Sequence, residues 1–119
     1  MVTESATPTH VDPDVLSQLR DVMEGDYAVL LETFLEDSHN RVVQLRKALD
    51  PNAVGQAAHS FKGSSSNMGA LALASLCSRL EQCAKQPGDC DIPQLIQQIE
   101  LEFDLVRPIY ERERERFSA

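Results

Sequence analysis

Apolar side chains recur at intervals of three and four residues along most of this chain, and this spacing constrains the fold more than any other feature. Residues three and four apart share one face of an α-helix, whereas a half-buried strand needs strict alternation, which the sequence lacks. The two longest stripes are Leu31, Phe34, Leu35, Ser38, Val42, Leu45 and Leu49, and Ile92, Ile96, Ile99, Phe103, Val106 and Tyr110. An all-α fold is therefore predicted.

Asp-Pro pairs mark two helix starts. In Asp12-Pro13 and Asp50-Pro51 the aspartate suits the N-cap, and proline suits the first helical position, where its missing N–H costs no hydrogen bond. A second helix is expected from Asp26, and "QPGDCD" ends the fourth. The three shorter stripes are Val15, Leu16, Leu19, Val22 and Met23; Val54, Ala58, Phe61, Ser65 and Met68; and Leu73, Leu76, Cys77, Leu80 and Ala84.

These segments predict an antiparallel four-helix bundle with an additional short N-terminal helix as a cap. The domain is expected to cover residues 12–116, and the polar, irregular residues 1–11 are expected to form a flexible tail. Pro108 should kink the last helix or remove one hydrogen bond, because proline has no backbone N–H.

Charge and cysteine content limit the function classes. With 11 basic and 19 acidic residues in 119, the net charge of -8 argues against nucleic acid or an anionic membrane as partner and suits a monomer. The sequence has neither a membrane-spanning apolar run nor a signal-peptide pattern, so we expect a cytoplasmic protein. Cys77, Cys83 and Cys90 form an odd set without a CxxC pair, so three reduced thiols are expected, with Cys77 in the core.

The stretch "AHSFKGSSSNMGA", residues 58–70, is poor in helix formers. Between residues 63 and 67 the intrinsic propensity cost sums to about 3 kcal/mol. Helical phase nevertheless carries the apolar stripe through Ser65, so the helix is expected to continue, held by tertiary packing.

The outward face of that helix combines a nucleophile with a cation and a bare backbone. His59, Lys62, Gly63 and Ser66 share this face at spacings of three, four and seven. Imidazole has an unperturbed pKa near 6.5, so much of it is neutral and nucleophilic at neutral pH. Lys62 would neutralise a phosphoryl group on His59, and the missing side chains would let another protein approach closely.

This stretch resembles the signature of histidine-containing phosphotransfer (HPt) domains: His, two residues, Lys-Gly, small residues and a later Gly. "GDYAVLLETFLEDSHNRVVQLRKAL" and "LASLCSRLEQCAK" are also similar to HPt helices, so the resemblance covers roughly residues 12–110. It implies a free-standing bacterial carrier that accepts phosphate from the receiver-domain aspartate of a hybrid sensor kinase and passes it to a response regulator. It implies no cofactor and no metal in this chain.

The resemblance also implies residue roles. His59 matches the phosphoacceptor, Lys62 the phosphate-proximal base and Gly63 the family's small residue, whereas Ser66 stands where many members have glycine. Asn67 matches the end of the motif. We also expect the first helix, through Leu16 and Leu19, to widen an apolar contact patch for a receiver domain.

Glu81 stands where some HPt domains have a glutamine that hydrogen-bonds the imidazole. A carboxylate there would accept from Nδ1–H and leave Nε2 as the nucleophile, but it would also repel the incoming phosphate slightly. Alternatively, Glu81 is a carboxylate at the boundary of the core that faces water and has no role in the site.

Three other functions compete with phosphotransfer. Glu36-x-x-His39 has the spacing of di-iron bundles, but a second copy of the motif is missing. A histidine kinase would need a nucleotide-binding loop and an ATP-binding domain, so autokinase activity is not expected. A helical adaptor without chemistry remains the alternative, and it predicts that replacing His59 leaves signalling intact.

Overall fold

The computed structural model describes residues 9–86, 88 and 90–118. In these residues the helices are α1 (Pro13–Met23), α2 (Tyr27–Lys47), α3 (Pro51–Asn67), α4 (Leu71–Lys85) and α5 (Ile92–Phe117), with a 3-10 turn, Glu24–Asp26, after α1. Helices α2 to α5 pack around one core, and α1 lies against the turn between α3 and α4. The predicted four-helix bundle with a short N-terminal helix is confirmed. Among the described helices, none is long and apolar enough to cross a membrane.

Three helices begin with an aspartate cap. The side chains of Asp12, Asp50 and Asp91 each accept a hydrogen bond from a backbone N–H of the first turn, at 3.0, 2.9 and 3.1 Å. A proline follows within two residues of each cap. The two predicted starts are therefore confirmed. Helix α2 begins at Tyr27, one residue after the expected Asp26, whose side chain makes no capping bond.

The apolar stripes meet in a single core, as their spacing predicts. Members that are completely buried come from all four bundle helices: Leu31, Ala58, Phe61, Leu73, Cys77, Leu80, Ile99, Val106 and Tyr110. Helix α1 contributes Leu16, which is buried and therefore does not lie on the expected docking patch, whereas Leu19 is partly buried. Burial of this apolar area supplies most of the driving force for folding.

Two predicted core residues lie outside the core. Leu49 is 98% exposed because α2 ends at Lys47 and Ala48 turns the chain into an extended conformation, so the helical phase no longer applies. Val22 is 78% exposed. It lies about 120° around α1 from the buried Leu16, on the far side of a helix that buries only one stripe.

The turn between α3 and α4 is fixed by contacts from both sides. Gly69 has a φ of 78°, and a Cβ on it would lie 3.0 Å from the Cβ of Val15, so this position suits glycine. The backbone N–H of Asp12 donates to the carbonyl of Gly69 at 2.9 Å. The Tyr110 hydroxyl donates to the carbonyl of Met68 at 2.6 Å, and burial raises the pKa of Tyr110, which keeps the proton on the donor.

The expectation of three reduced thiols is wrong. Cys83, in the last turn of α4, and Cys90, in the connection to α5, form a disulfide with Cα atoms 5.9 Å apart. Their separation of seven residues gave no signal, because only the return of the chain after α4 brings them within disulfide range. Cys77 is free and buried, as predicted.

Two expectations concern the ends of the chain. Of the predicted tail, residues 1–8 lie outside the described residues. The next two residues contact the bundle: the carbonyl of Thr9 accepts a hydrogen bond from the Ala72 N–H at 2.9 Å, and His10 Nδ1 lies 2.6 Å from a carboxylate oxygen of Glu102. Helix α5 continues through Pro108 to Phe117, which is compatible with the expected loss of one hydrogen bond, because proline has no N–H to donate.

Candidate functional site

Helix α3 separates a buried face from an exposed face along the motif. Phe61 and Ser65 are fully buried, whereas the His59 side chain is 67% exposed. A Cβ on Gly63 would meet no atom within 4 Å, so the surface beside the imidazole is open. The helix continues through the serines to Asn67, because packing of its buried face against the core outweighs the poor propensity.

The other predicted site residues lie on the same surface. Ser66 and Asn67 are exposed in the last turn of α3, and Lys62 is half-buried one turn after His59. Low side-chain bulk therefore extends from the histidine toward the end of α3.

Glu81 of α4 joins the histidine and the lysine. One carboxylate oxygen lies 2.8 Å from His59 Nδ1, and the other accepts a hydrogen bond from Lys62 Nζ at 2.8 Å. The Glu81 side chain is only 15% exposed, so it lies at the base of the site rather than in solvent. Of the two interpretations left open by the sequence, the contact with the imidazole is the one that the structure contains.

The charges of this triad depend on one another. The Lys62 hydrogen bond, followed by that from His59, holds the pKa of Glu81 below its usual value, against the opposing effect of desolvation. Because an ionised carboxylate can only accept, the imidazole donates from Nδ1. In the neutral imidazole the free lone pair then lies on Nε2, which has no hydrogen-bond partner among the described residues.

A surface groove adjoins the histidine on the side away from Gly63. Its volume is about 550 Å³, and it lies between the first half of α3 and the end of α4. The lining residues are Pro51, Asn52, Gly55, Gln56, His59, Ser60, Glu81, Ala84 and Lys85. The motif did not predict this groove. The glycine one helical turn before His59, Gly55, is the sequence feature from which open surface on this side could have been predicted.

The residues of the rival metal motif lie elsewhere. Glu36 and His39 line a separate cavity of about 530 Å³ between α2 and α5, together with Arg107 and Arg114. Within the part of the chain that the structure describes, no group of three or more His, Cys, Asp or Glu side chains could hold a metal ion. Two arginines beside the histidine would also disfavour a cation.

Comparison with known proteins gives three related findings. The Hpt domain family model matches residues 29–108. The crystal structure of histidine-containing phosphotransfer protein B (HptB) from Pseudomonas aeruginosa PAO1 is 46% identical, with a TM-score of 0.88 over 95% of this chain and 99% of that one. Histidine-containing phosphotransfer protein 2 of Arabidopsis thaliana is 27% identical over 99 residues, and this alignment covers 77% of the chain but 64% of the plant protein.

The resemblance inferred from the motif is confirmed by these matches. The family model spans both the helix that carries His59 and the neighbouring helix that carries Glu81. The structural match extends over nearly all of both chains at an identity well above that at which only the fold is shared. The chain belongs to the Hpt domain family.

Proposed function

We propose that this protein is a phosphoryl carrier in a multistep phosphorelay, with His59 as the phosphoacceptor. The observation that carries the proposal is the exposed His59 Nε2, left free by the hydrogen bond between Nδ1 and Glu81 and placed one turn from Lys62. The carrier accepts phosphate from the receiver-domain aspartate of a hybrid kinase and passes it to the receiver domain of a response regulator. It acts as a cytoplasmic monomer whose domain covers residues 12–116.

The transfer step follows from the tautomer. The Nε2 lone pair attacks the phosphorus of an aspartyl phosphate, the P–O bond breaks, and the receiver carboxylate leaves with its electron pair. The ring then carries the phosphoryl group on Nε2 and keeps its proton on Nδ1, where the Glu81 carboxylate balances the new positive charge. Transfer onward reverses these steps, with a neutral imidazole as the leaving group.

Lys62 and the small residues serve the same step in different ways. The ammonium of Lys62 lies where it can turn from Glu81 toward a phosphoryl group on His59 and offset its negative charge. Gly63, Ser66 and Asn67 leave room for the backbone of the receiver domain to come close. The chain takes no phosphate from ATP, since it offers a nucleophile and a cation rather than a nucleotide site.

Labelled-phosphate transfer from a panel of phosphorylated hybrid kinases tests this function. The wild-type protein should take label that is acid-labile and base-stable, and His59→Gln should take none. His39→Gln is the matched control, because His39 is also an exposed helical histidine. Label on His59→Gln would contradict the assignment. Binding of receiver domains without labelling by any donor would instead support the non-catalytic adaptor.

A further inference from the structure

A glycine lies one helical turn before His59 and another one turn after it, on the same face of α3. Gly63 follows the histidine by four residues, and Gly55 precedes it by four. The family motif contains Gly63 but not Gly55. Gly55 lies at the groove defined above, where a Cβ would come within 3.3 Å of the Ala84 Cβ. The groove exists because both of these residues are small.

A protein that docks on His59 covers enough surface to contact the groove as well. A standard interface covers about 800 Å² on each partner, which corresponds to a patch of roughly 16 Å radius. Asn52, at the far end of the groove, lies seven residues before His59, or about 10 Å along the helix. A receiver domain centred on the histidine therefore covers the groove as well as the Gly63 side.

Charge indicates what enters the groove. Lys85 is exposed on its rim, and among the described residues the only acidic one in the lining, Glu81, is already bonded to both Lys62 and His59. Lys85 is thus the charged lining residue whose contacts leave it available to a partner. An acidic side chain on the docking partner would complement Lys85.

We propose that the groove is a second contact zone for the receiver domain and receives one of its acidic side chains. The stem of that side chain lies over Gly55 and Ala84, and its carboxylate pairs with Lys85. The inference rests on the proposed phosphotransfer function and adds a determinant of partner choice, because a receiver domain without an acidic residue at this place gains nothing from the groove.

Four variants of the full chain test the contact zone. Asn52→Trp fills the groove, and Gln97→Trp is its control on an exposed position of α5. Lys85→Gln removes the rim charge, and Lys47→Gln is its control, since each lysine is the exposed last residue of its helix. The donor is the receiver domain that labels the wild-type protein fastest in the kinase panel.

Two reactions separate docking from chemistry. Phosphoramidate is a small donor that phosphorylates histidine directly: Nε2 attacks phosphorus, the P–N bond breaks and ammonia leaves. All four variants should react with it at the wild-type rate. With the receiver domain as donor, Asn52→Trp should lower kcat/KM about tenfold, a typical effect of blocking one well-packed contact. Lys85→Gln should lower it about two- to fivefold at low salt, and the difference should vanish at high salt.

The transfer rates with the receiver domain as donor decide whether the groove is a contact zone. Wild-type transfer rates in both Asn52→Trp and Lys85→Gln would overturn the contact zone while leaving phosphotransfer intact. Equal losses in the groove variants and their controls would overturn it too, since the effect would then be general. Failure of the wild-type protein to take label from every receiver domain would overturn the proposed function, and this inference with it.

Discussion

Two helix pairs of the same bundle are built from different side chains. Between α2 and α5, large rings fill the interface: Phe34 packs edge to face on Tyr110 with centroids 4.9 Å apart, and Phe103 is buried below Arg107. Between α3 and α4, small residues bring the backbones together, as Gly55 and Ala84 do. The α2–α5 pair therefore buries much apolar area, whereas the α3–α4 pair leaves an open surface with few protruding side chains.

Charges follow the same division. The α2–α5 side carries ion pairs that link one helix to the other, such as Arg46 with Glu100. On the α3–α4 side, the ion pairs converge on Glu81 and hold a histidine and a lysine beside exposed backbone. The large residues between α2 and α5 thus stabilise a fold in which α3 remains helical despite its poor intrinsic propensity.

The strongest test of this division replaces one residue in each helix pair. His59→Gln should abolish phosphate acceptance and leave the melting temperature almost unchanged, because the side chain is largely exposed. Phe103→Ala should lower the free energy of unfolding by about 3–5 kcal/mol, through lost burial and a cavity, yet the folded fraction should still accept phosphate. Phosphoramidate labelling and chemical denaturation measure the two effects. A large loss of stability in His59→Gln would contradict the division.

Tyr110→Phe probes the link between the two sides. The hydroxyl donates to the Met68 carbonyl at the end of α3, so its loss leaves a buried acceptor unpaired at a cost of about 1–3 kcal/mol. We expect a lower melting temperature together with faster amide hydrogen exchange in the turn between α3 and α4. Unchanged exchange there would show that the other contacts of Gly69 fix the turn alone.

Glu81→Gln tests the carboxylate of the site. An amide oxygen still accepts from Nδ1–H but does not balance the positive charge on the ring, so phosphate acceptance should slow by about fivefold, or about 1 kcal/mol. Rates with phosphoramidate measure this without a docking partner. An unchanged rate would reduce Glu81 to a structural partner of Lys62.

The same variant has a signature in the pH dependence of stability. Because the folded-state pKa of Glu81 is lowered from 4.5, its stabilising contribution is complete above about pH 4.5 and is lost as the pH falls through the lower folded-state value. Glu81→Gln should therefore lose less stability than the wild-type protein over that acidic window. Denaturant titrations at pH 7 and in the acidic window give the comparison, and identical pH profiles would contradict it.

The smallest expected effects come from the two glycines that flank His59. Gly63→Gln should stabilise the helix by roughly 0.5–1 kcal/mol, since the position is open, and should slow transfer from a receiver domain by crowding. Gly55→Ala has the same propensity gain, but its Cβ would lie 3.3 Å from that of Ala84, so its net stabilisation should be smaller. Thermal melts rank the two. Unimpaired transfer by Gly63→Gln would remove the argument from close approach.

The helices, their buried faces and the family could all be predicted from the order of residues along the chain. Spacing of three and four predicted the buried and exposed sides of α3 through a run of serines, and Asp-Pro pairs located two helix starts. These features depend on neighbours within about one helical turn, so they can be read from local order. The motif around His59 adds the family because its residue types and spacing are together specific.

Contacts between residues far apart in the sequence became visible only in the packed structure. Glu81 follows His59 by 22 residues, and nothing local shows that its two oxygens contact both the imidazole and Lys62. The groove at Gly55 and the Cys83–Cys90 disulfide likewise depend on how α4 packs and where the chain returns. Helix periodicity is set by the geometry of the backbone, whereas these contacts arise from the packing of helices against one another, which fixes distances between residues far apart in sequence.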